Sequence, residues 1–119
     1  VDLDDTITID DRNVEYSEKR PNTDVIRKLR DYKDMGFHIT IFTARNMNKF
    51  DGNTDRILQY TVPIIESWLS KHGVAYDDII VGKPWCGSGF YVDDKAIRPD
   101  EFVNLTYQEI QVLLNNDYG

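Results

Sequence analysis

The chain has 119 residues, 40% hydrophobic and 29% charged, an ordinary composition for one globular domain. Its net charge of −7 argues against a broad footprint for nucleic acid or an anionic membrane. No run approaches the roughly 18 apolar residues of a membrane span. No signal peptide is read, because Asp2, Asp4 and Asp5 open the chain. The single cysteine, Cys86, permits no internal disulfide, so a reducing, cytoplasmic setting is expected.

Nothing in the sequence is repeated or of low complexity, and no linker divides it, so residues 1–119 are expected to form one unit. Val1 reads as the last residue of a strand, most of which precedes the sequence, with a turn over Asp2–Ile7. Residues 8–20 are polar, and the alternation of Val14 and Tyr16 predicts a small hairpin. A helix is predicted over 23–35, capped by Asn22 or Thr23, with Val25, Ile26, Leu29 and Tyr32 as its apolar stripe and Gly36 as its stop.

Phe37–Phe42 reads as a buried strand ending at Thr43. Residues 45–60 read as a loop with a helical turn near 55–60. Pro63 suits the first turn of a helix reaching His72, and Gly73 ends it. Ile79–Gly82 and Phe90–Val92 read as short strands. Thr106 and Glu109 form a capping box for a last helix through about Asn115. Strands alternating with helices predict an α/β fold with a mostly parallel sheet.

In such sheets, ligands bind beyond the carboxyl ends of the strands. The residues following the predicted strands are Asp2–Thr6, Thr43–Arg45, Lys83 and Asp93–Asp94, so the polar residues fall on one edge. Asp2, Asp4, Asp93 and Asp94 gathered there would raise one another's pKa unless a cation intervened. Mg²⁺ suits such a set, being hard, oxygen-seeking and prone to keep waters. Lys83 can hold a carboxylate in place and balance phosphate charge. The Thr43 hydroxyl and nearby N–H groups can hold a phosphate oxygen.

These motifs together resemble the haloacid dehalogenase superfamily of phosphohydrolases. The D-x-D-x-T motif is Asp2-Leu3-Asp4-Asp5-Thr6; Thr43 ends an apolar strand; Lys83 follows; and Asp93-Asp94 closes a short strand. The order is right across residues 2–94. The resemblance implies a single Rossmann-like, three-layer domain, with residues 5–20 as the squiggle and flap. It implies Asp2 as nucleophile and Asp4 as acid and base. Mg²⁺ would bind the Asp2 carboxylate, the Asp4 carbonyl and Asp93, with Asp94 in support, while Thr43 and Lys83 hold the phosphoryl group. The acid at Asp4 speaks against a dehalogenase, since dehalogenases of the family lack it.

The segments Thr43–Met47, Gly82–Gly87 and Phe90–Pro99 are similar to small phosphatases associated with capsular and other surface-polysaccharide biosynthesis. The intervals from Thr6 to Thr43 and from Thr43 to Lys83 leave no room for a large cap. A capless site calls for a large substrate or for a neighbouring subunit as lid, so a homo-oligomer is expected, and a phosphomutase is disfavoured.

Beyond the phosphate, Arg45 and Asn46 are candidates for binding the rest of the substrate, with Arg45 reaching outward. Trp85 is a candidate platform for a sugar or a base. The expected activity is hydrolysis of a small phosphorylated metabolite, foremost a sugar phosphate. A nucleotide phosphatase is the alternative among enzymes. A phospho-accepting receiver domain is the alternative from another class, but it needs an acceptor Asp between the early acidic pair and the Thr. Asp31 and Asp34 fall on a predicted helix instead.

Overall fold

Two parallel strands carry the architecture: β1 (Thr40–Thr43) and β2 (Asp78–Val81), with Ile41 opposite Ile79 and Thr43 opposite Val81. This structure, a computed structural model, describes residues 1–115. Val1 extends the sheet on the other side of β1. Its N–H donates to the Thr40 carbonyl at 2.6 Å, and its carbonyl accepts from the Phe42 N–H at 2.8 Å. That is the parallel-ladder pattern opposite Ile41. Two hydrogen bonds thus set Val1 alongside β1, though Val1 itself belongs to no strand among the described residues.

The residues divide into two compact units, Val1–Trp85 and Cys86–Gly119, where the sequence predicts one; each is described by itself. In the first unit, α1 (Thr23–Asp34) starts where the Asn22 side chain accepts from the Val25 N–H. Val25, Leu29 and Tyr32 recur at helical spacing and are the residues it buries. Gly36 stops it at φ +96, a conformation that a Cβ would strain.

The polar stretch 8–20 is not the predicted hairpin. Its ends are tied by a lone bridge between Thr8 and Pro21, but Tyr16–Glu18 winds into a 3-10 turn. Apolar alternation over two residues is too little to hold a strand against local turn formation.

Between β1 and β2 the chain crosses through one helical run. It comprises α2 (Thr54–Arg56), a π-helical segment (Ile57–Thr61) and α3 (Val62–Lys71). The predicted loop over 45–60 is thus turn-like only as far as Asn53, whose side chain caps α2 by accepting from the Arg56 N–H at 3.2 Å. Ile57, Ile65, Trp68 and Leu69 from this run pack with Leu3, Ile7, Val25, Leu29 and Ile41 as the buried core. Trp68 is held there by donating its indole N–H to the Lys19 carbonyl at 2.8 Å.

The second unit holds α4 (Pro99–Asn104), which the sequence did not predict, and α5 (Tyr107–Asn115), which it did. Glu101 accepts from the Arg98 N–H at 2.8 Å at the start of α4. The capping box of α5 is formed in both directions: Thr106 N–H to Glu109 at 2.9 Å, and Glu109 N–H to Thr106 Oγ1 at 3.2 Å. The predicted strand Phe90–Val92 is not formed; Phe90 and Val92 are 82% and 89% exposed. The α/β class stands, with a sheet of two strands among the described residues.

Candidate functional site

The chain turns sharply after Val1. The Leu3 carbonyl accepts from the N–H groups of Thr6, Ile7 and Thr8, and Leu3 itself is buried. Anchoring Leu3 leaves the residues on either side, Asp2 and Asp4, at the carboxyl edge of the sheet. Asp5 takes φ +64, within the left-handed range that Asp tolerates better than most residues, and its N–H donates to Thr8 Oγ1 at 3.1 Å. Desolvation, followed by the charges of Asp10 and Asp4, pushes the Asp5 carboxyl above its usual range.

Asp2 is held from two sides. Thr6 Oγ1 donates to its Oδ2 at 3.0 Å, and Lys83 Nζ lies 3.6 Å from its Oδ1. Thr6 is the last residue of D-x-D-x-T, which gives that position a physical reason. Lys83 is placed by its own N–H, which donates to the Thr43 carbonyl at 3.3 Å where β1 and β2 end together. Asp2, Thr43 and Lys83 therefore meet at one edge, as strand order and strand ends predict.

Thr43 is 1% exposed, and its Oγ1 accepts from the Arg45 N–H at 3.0 Å. The same turn carries Arg45 inward. Its guanidinium meets Asp4 through two bonds, Nε to Oδ2 at 3.1 Å and Nη2 to Oδ1 at 2.8 Å. Its Cζ lies 4.1 Å from the centre of the Tyr16 ring. The side chain is 1% exposed, and Nη1 is buried without a hydrogen bond. This corrects the predicted outward reach of Arg45: the side chain is sandwiched between a carboxylate and an aromatic face. Burial, then the charge of Asp4, raises the Tyr16 hydroxyl above its ordinary value.

Asn46 also turns inward. It sits at φ +62, and its amide donates to Thr61 Oγ1 at 2.7 Å in the π-helical segment. Trp85 is exposed, as a stacking platform requires. Tyr16 is the contact that sequence reasoning missed; an aromatic residue stranded in a polar stretch was the signal for it.

Asp93 and Asp94 lie in the second unit, in a turn where Asp93 Oδ1 accepts from the Lys95 N–H at 2.8 Å. Among the described residues, no three His, Cys, Asp or Glu side chains stand close enough together to hold a metal ion. The first unit nevertheless offers one donor of the kind Mg²⁺ takes from protein, the partly exposed carboxylate of Asp2. The Asp4 carboxylate bonds Arg45, yet its side chain keeps an exposure of 30%.

No family model matches the chain, and no curated protein matches it. A crystal structure of an MCSG target from Vibrio cholerae is 49% identical, covers 98% of this chain and 95% of its own, and superposes with a TM-score of 0.93. The fold and the carboxylate edge define an α/β protein with a polar site at the end of a parallel sheet. At that identity and coverage, the chain belongs to the same family as this Vibrio cholerae protein.

Proposed function

We propose that the protein is a Mg²⁺-dependent phosphomonoester hydrolase of the haloacid dehalogenase type. In this reading its core is Rossmann-like and capless, and its substrate is a small phosphorylated metabolite, foremost a sugar phosphate of surface-polysaccharide synthesis. One observation carries the proposal: Asp2, held by Thr6, stands 3.6 Å from Lys83 at the strand ends, with Asp4 two residues on. A nucleophile fixed by a hydroxyl and flanked by a cation is what covalent phosphoryl transfer requires.

In the first step an Asp2 oxygen attacks phosphorus, the bond from phosphorus to the leaving oxygen breaks, and Asp4 gives that oxygen a proton. In the second, Asp4 takes a proton from water, whose oxygen attacks phosphorus. Asp2 is released and inorganic phosphate departs. Lys83 faces the charge that builds on the phosphoryl oxygens, and Thr43, at the same strand end, would have to turn its hydroxyl proton toward one of them. Mg²⁺, held by Asp2 and the Asp4 carbonyl, would offset charge during transfer.

A screen of the full-length protein against sugar phosphates, nucleotides and phosphorylated acids tests the reading. Release of inorganic phosphate from a sugar phosphate is expected. Turnover confined to nucleotides would move the assignment to the second substrate class, with Trp85 stacking on the base. Turnover of none would remove the activity.

A further inference from the structure

Tyr16 and Arg45 are unequally buried. The Arg45 side chain is 1% exposed and Tyr16 is 39% exposed, with the ring centre 4.1 Å from the guanidinium carbon. Tyr16 is therefore the outer of the two, and its ring stands between the guanidinium and solvent. A guanidinium leaves water at a cost unless other groups take the place of that water. Asp4 does so at Nε and Nη2, but Nη1 is buried with no hydrogen bond. An aromatic face supplies the missing partner, because its negative quadrupole attracts a cation without a directed bond. Burial, then the charge of Asp4, holds the Tyr16 hydroxyl above its ordinary value, so the ring stays neutral beside the carboxylate.

Tyr16 is the one aromatic residue in the polar stretch 8–20, so no apolar stripe of its own segment places it. Its turn does. Tyr16 opens the 3-10 turn, and the Lys19 N–H closes it onto the Tyr16 carbonyl at 3.4 Å. The Lys19 carbonyl accepts from the indole N–H of Trp68 at 2.8 Å, and Trp68 is a buried residue of α3. Lys19 Nζ donates back to the Asp11 carbonyl at 2.6 Å, and the Ile9 N–H donates to the Arg20 carbonyl at 2.9 Å. The turn is thus fastened to a core helix and to its own segment, all within the first unit.

A carboxylate that moves a proton at a leaving oxygen has to keep its angle. The two bonds from Arg45 set that angle, and they are only as firm as the hold on Arg45 itself. We propose that Tyr16 is a positioning residue for the acid–base carboxylate: its ring covers Arg45, keeps water off the guanidinium and so steadies the fork that grips Asp4. The cover stands on the geometry alone. Its catalytic consequence rests on the phosphatase reading above.

Two measurements on the full-length protein test this. In the first, phenylglyoxal, which modifies accessible guanidinium groups, is added to the folded protein, and the labelled arginines are mapped by peptide mass spectrometry. Arg45 is expected to resist in the wild type and in Tyr16→Phe. In Tyr16→Ala it should react about tenfold faster or more, since it meets solvent without local opening. Far-UV circular dichroism checks that this variant folds. Tyr16→Leu, which keeps apolar bulk without the quadrupole, takes its place if it does not, and labelling of Arg45 is expected there too. Ready labelling in the wild type, or equal protection in the variant, overturns the cover.

The second measurement is steady-state kinetics on a sugar phosphate. Tyr16→Ala should lower kcat about 10-fold or more with little change in KM, within the roughly 10²-fold that a misplacement of about 1 Å costs. Tyr16→Phe, which keeps the ring, should recover most of that loss. Because Tyr16 acts through Arg45, Tyr16→Ala should cost little further in an Arg45→Ala background. Losses that multiply, a rise in KM alone, or no recovery in Tyr16→Phe overturn the positioning role. An inactive wild type refutes the phosphatase reading together with this catalytic consequence, and the labelling still decides whether Tyr16 covers Arg45.

Discussion

Arg45 grips Asp4 with two parallel hydrogen bonds, of 3.1 and 2.8 Å, while the Tyr16 ring backs the guanidinium at 4.1 Å. A bidentate fork fixes both the position and the plane of a carboxylate, which a single lysine contact does not. In the proposed mechanism Asp4 moves protons at the leaving oxygen and at water, so Arg45 is a positioning residue for that carboxylate and not a reader of the substrate.

Arg45→Ala is therefore expected to lower kcat by a similar factor on a sugar phosphate and on a generic aryl phosphate. Arg45→Lys should restore charge but only part of the rate. The truncation should also cost about 1–3 kcal/mol of stability, because Asp4 loses its partner. Steady-state kinetics on both substrates, with urea unfolding alongside, measures each effect. A rise in KM confined to the sugar phosphate would return Arg45 to substrate recognition.

Local signals were legible where one residue decides the outcome. Asn22 and Gly36 delimit α1, the Thr106–Glu109 box starts α5, and Thr43 and Lys83 fall at the strand ends as their order predicts. What was not legible depends on contacts between distant residues. The inward turn of Arg45 needs Tyr16 and Asp4 on its two sides, neither of which is close to it in sequence. The helical run over 54–61 contains no strong helix signal beyond the Asn53 cap, and its burial of Ile57 and Thr61 supplies what propensity does not. The Phe90–Val92 run has strand composition, but composition does not supply the neighbouring strand that a ladder needs.

Asp2→Asn and Asp4→Asn should fail at different steps. Without the Asp2 carboxylate no acyl phosphate forms, so acid-quenched protein should carry no label from a radioactive substrate. Asp4→Asn retains the nucleophile and should still bind substrate. Its turnover should fall about 10²–10⁴-fold, the usual contribution of general acid–base help. Wild-type turnover in Asp2→Asn would falsify the nucleophile assignment.

Chelation should abolish phosphate release and Mg²⁺ should restore it, since Asp2 and the phosphoryl group are both anionic and Lys83, 3.6 Å from Asp2, offsets only part of that charge. Isothermal titration of Mg²⁺ into wild type and Asp2→Asn separates binding from turnover. Full activity in exhaustively chelated protein would take the cation out of the mechanism.

At the opposite end of the strands, Asp77 ties α1 to the entry of β1. Its carboxylate accepts from Lys33 Nζ and, at 2.7 Å, from the Ile39 N–H, while His38 bonds the neighbouring Asp78 at 2.5 Å. The Lys33 bond, then the Ile39 bond, lowers the Asp77 pKa below the ordinary value of 3.8. A carboxylate with a depressed folded-state pKa stabilises the fold above its unfolded pKa, and that contribution is lost as pH falls through the folded one. Asp77 should therefore support the fold at neutral pH, begin to lose its effect below about pH 4 and contribute nothing once protonated in both states. Asp77→Asn should lower the urea midpoint at pH 7 and differ less from wild type at pH 2.5. His38 and Asp78 face the same network, so the same comparison in a His38→Gln, Asp78→Asn background isolates the contribution of Asp77. A wild-type-minus-variant difference that stayed constant from pH 7 to pH 2.5 would show that Asp77 acts through packing and not through its charge.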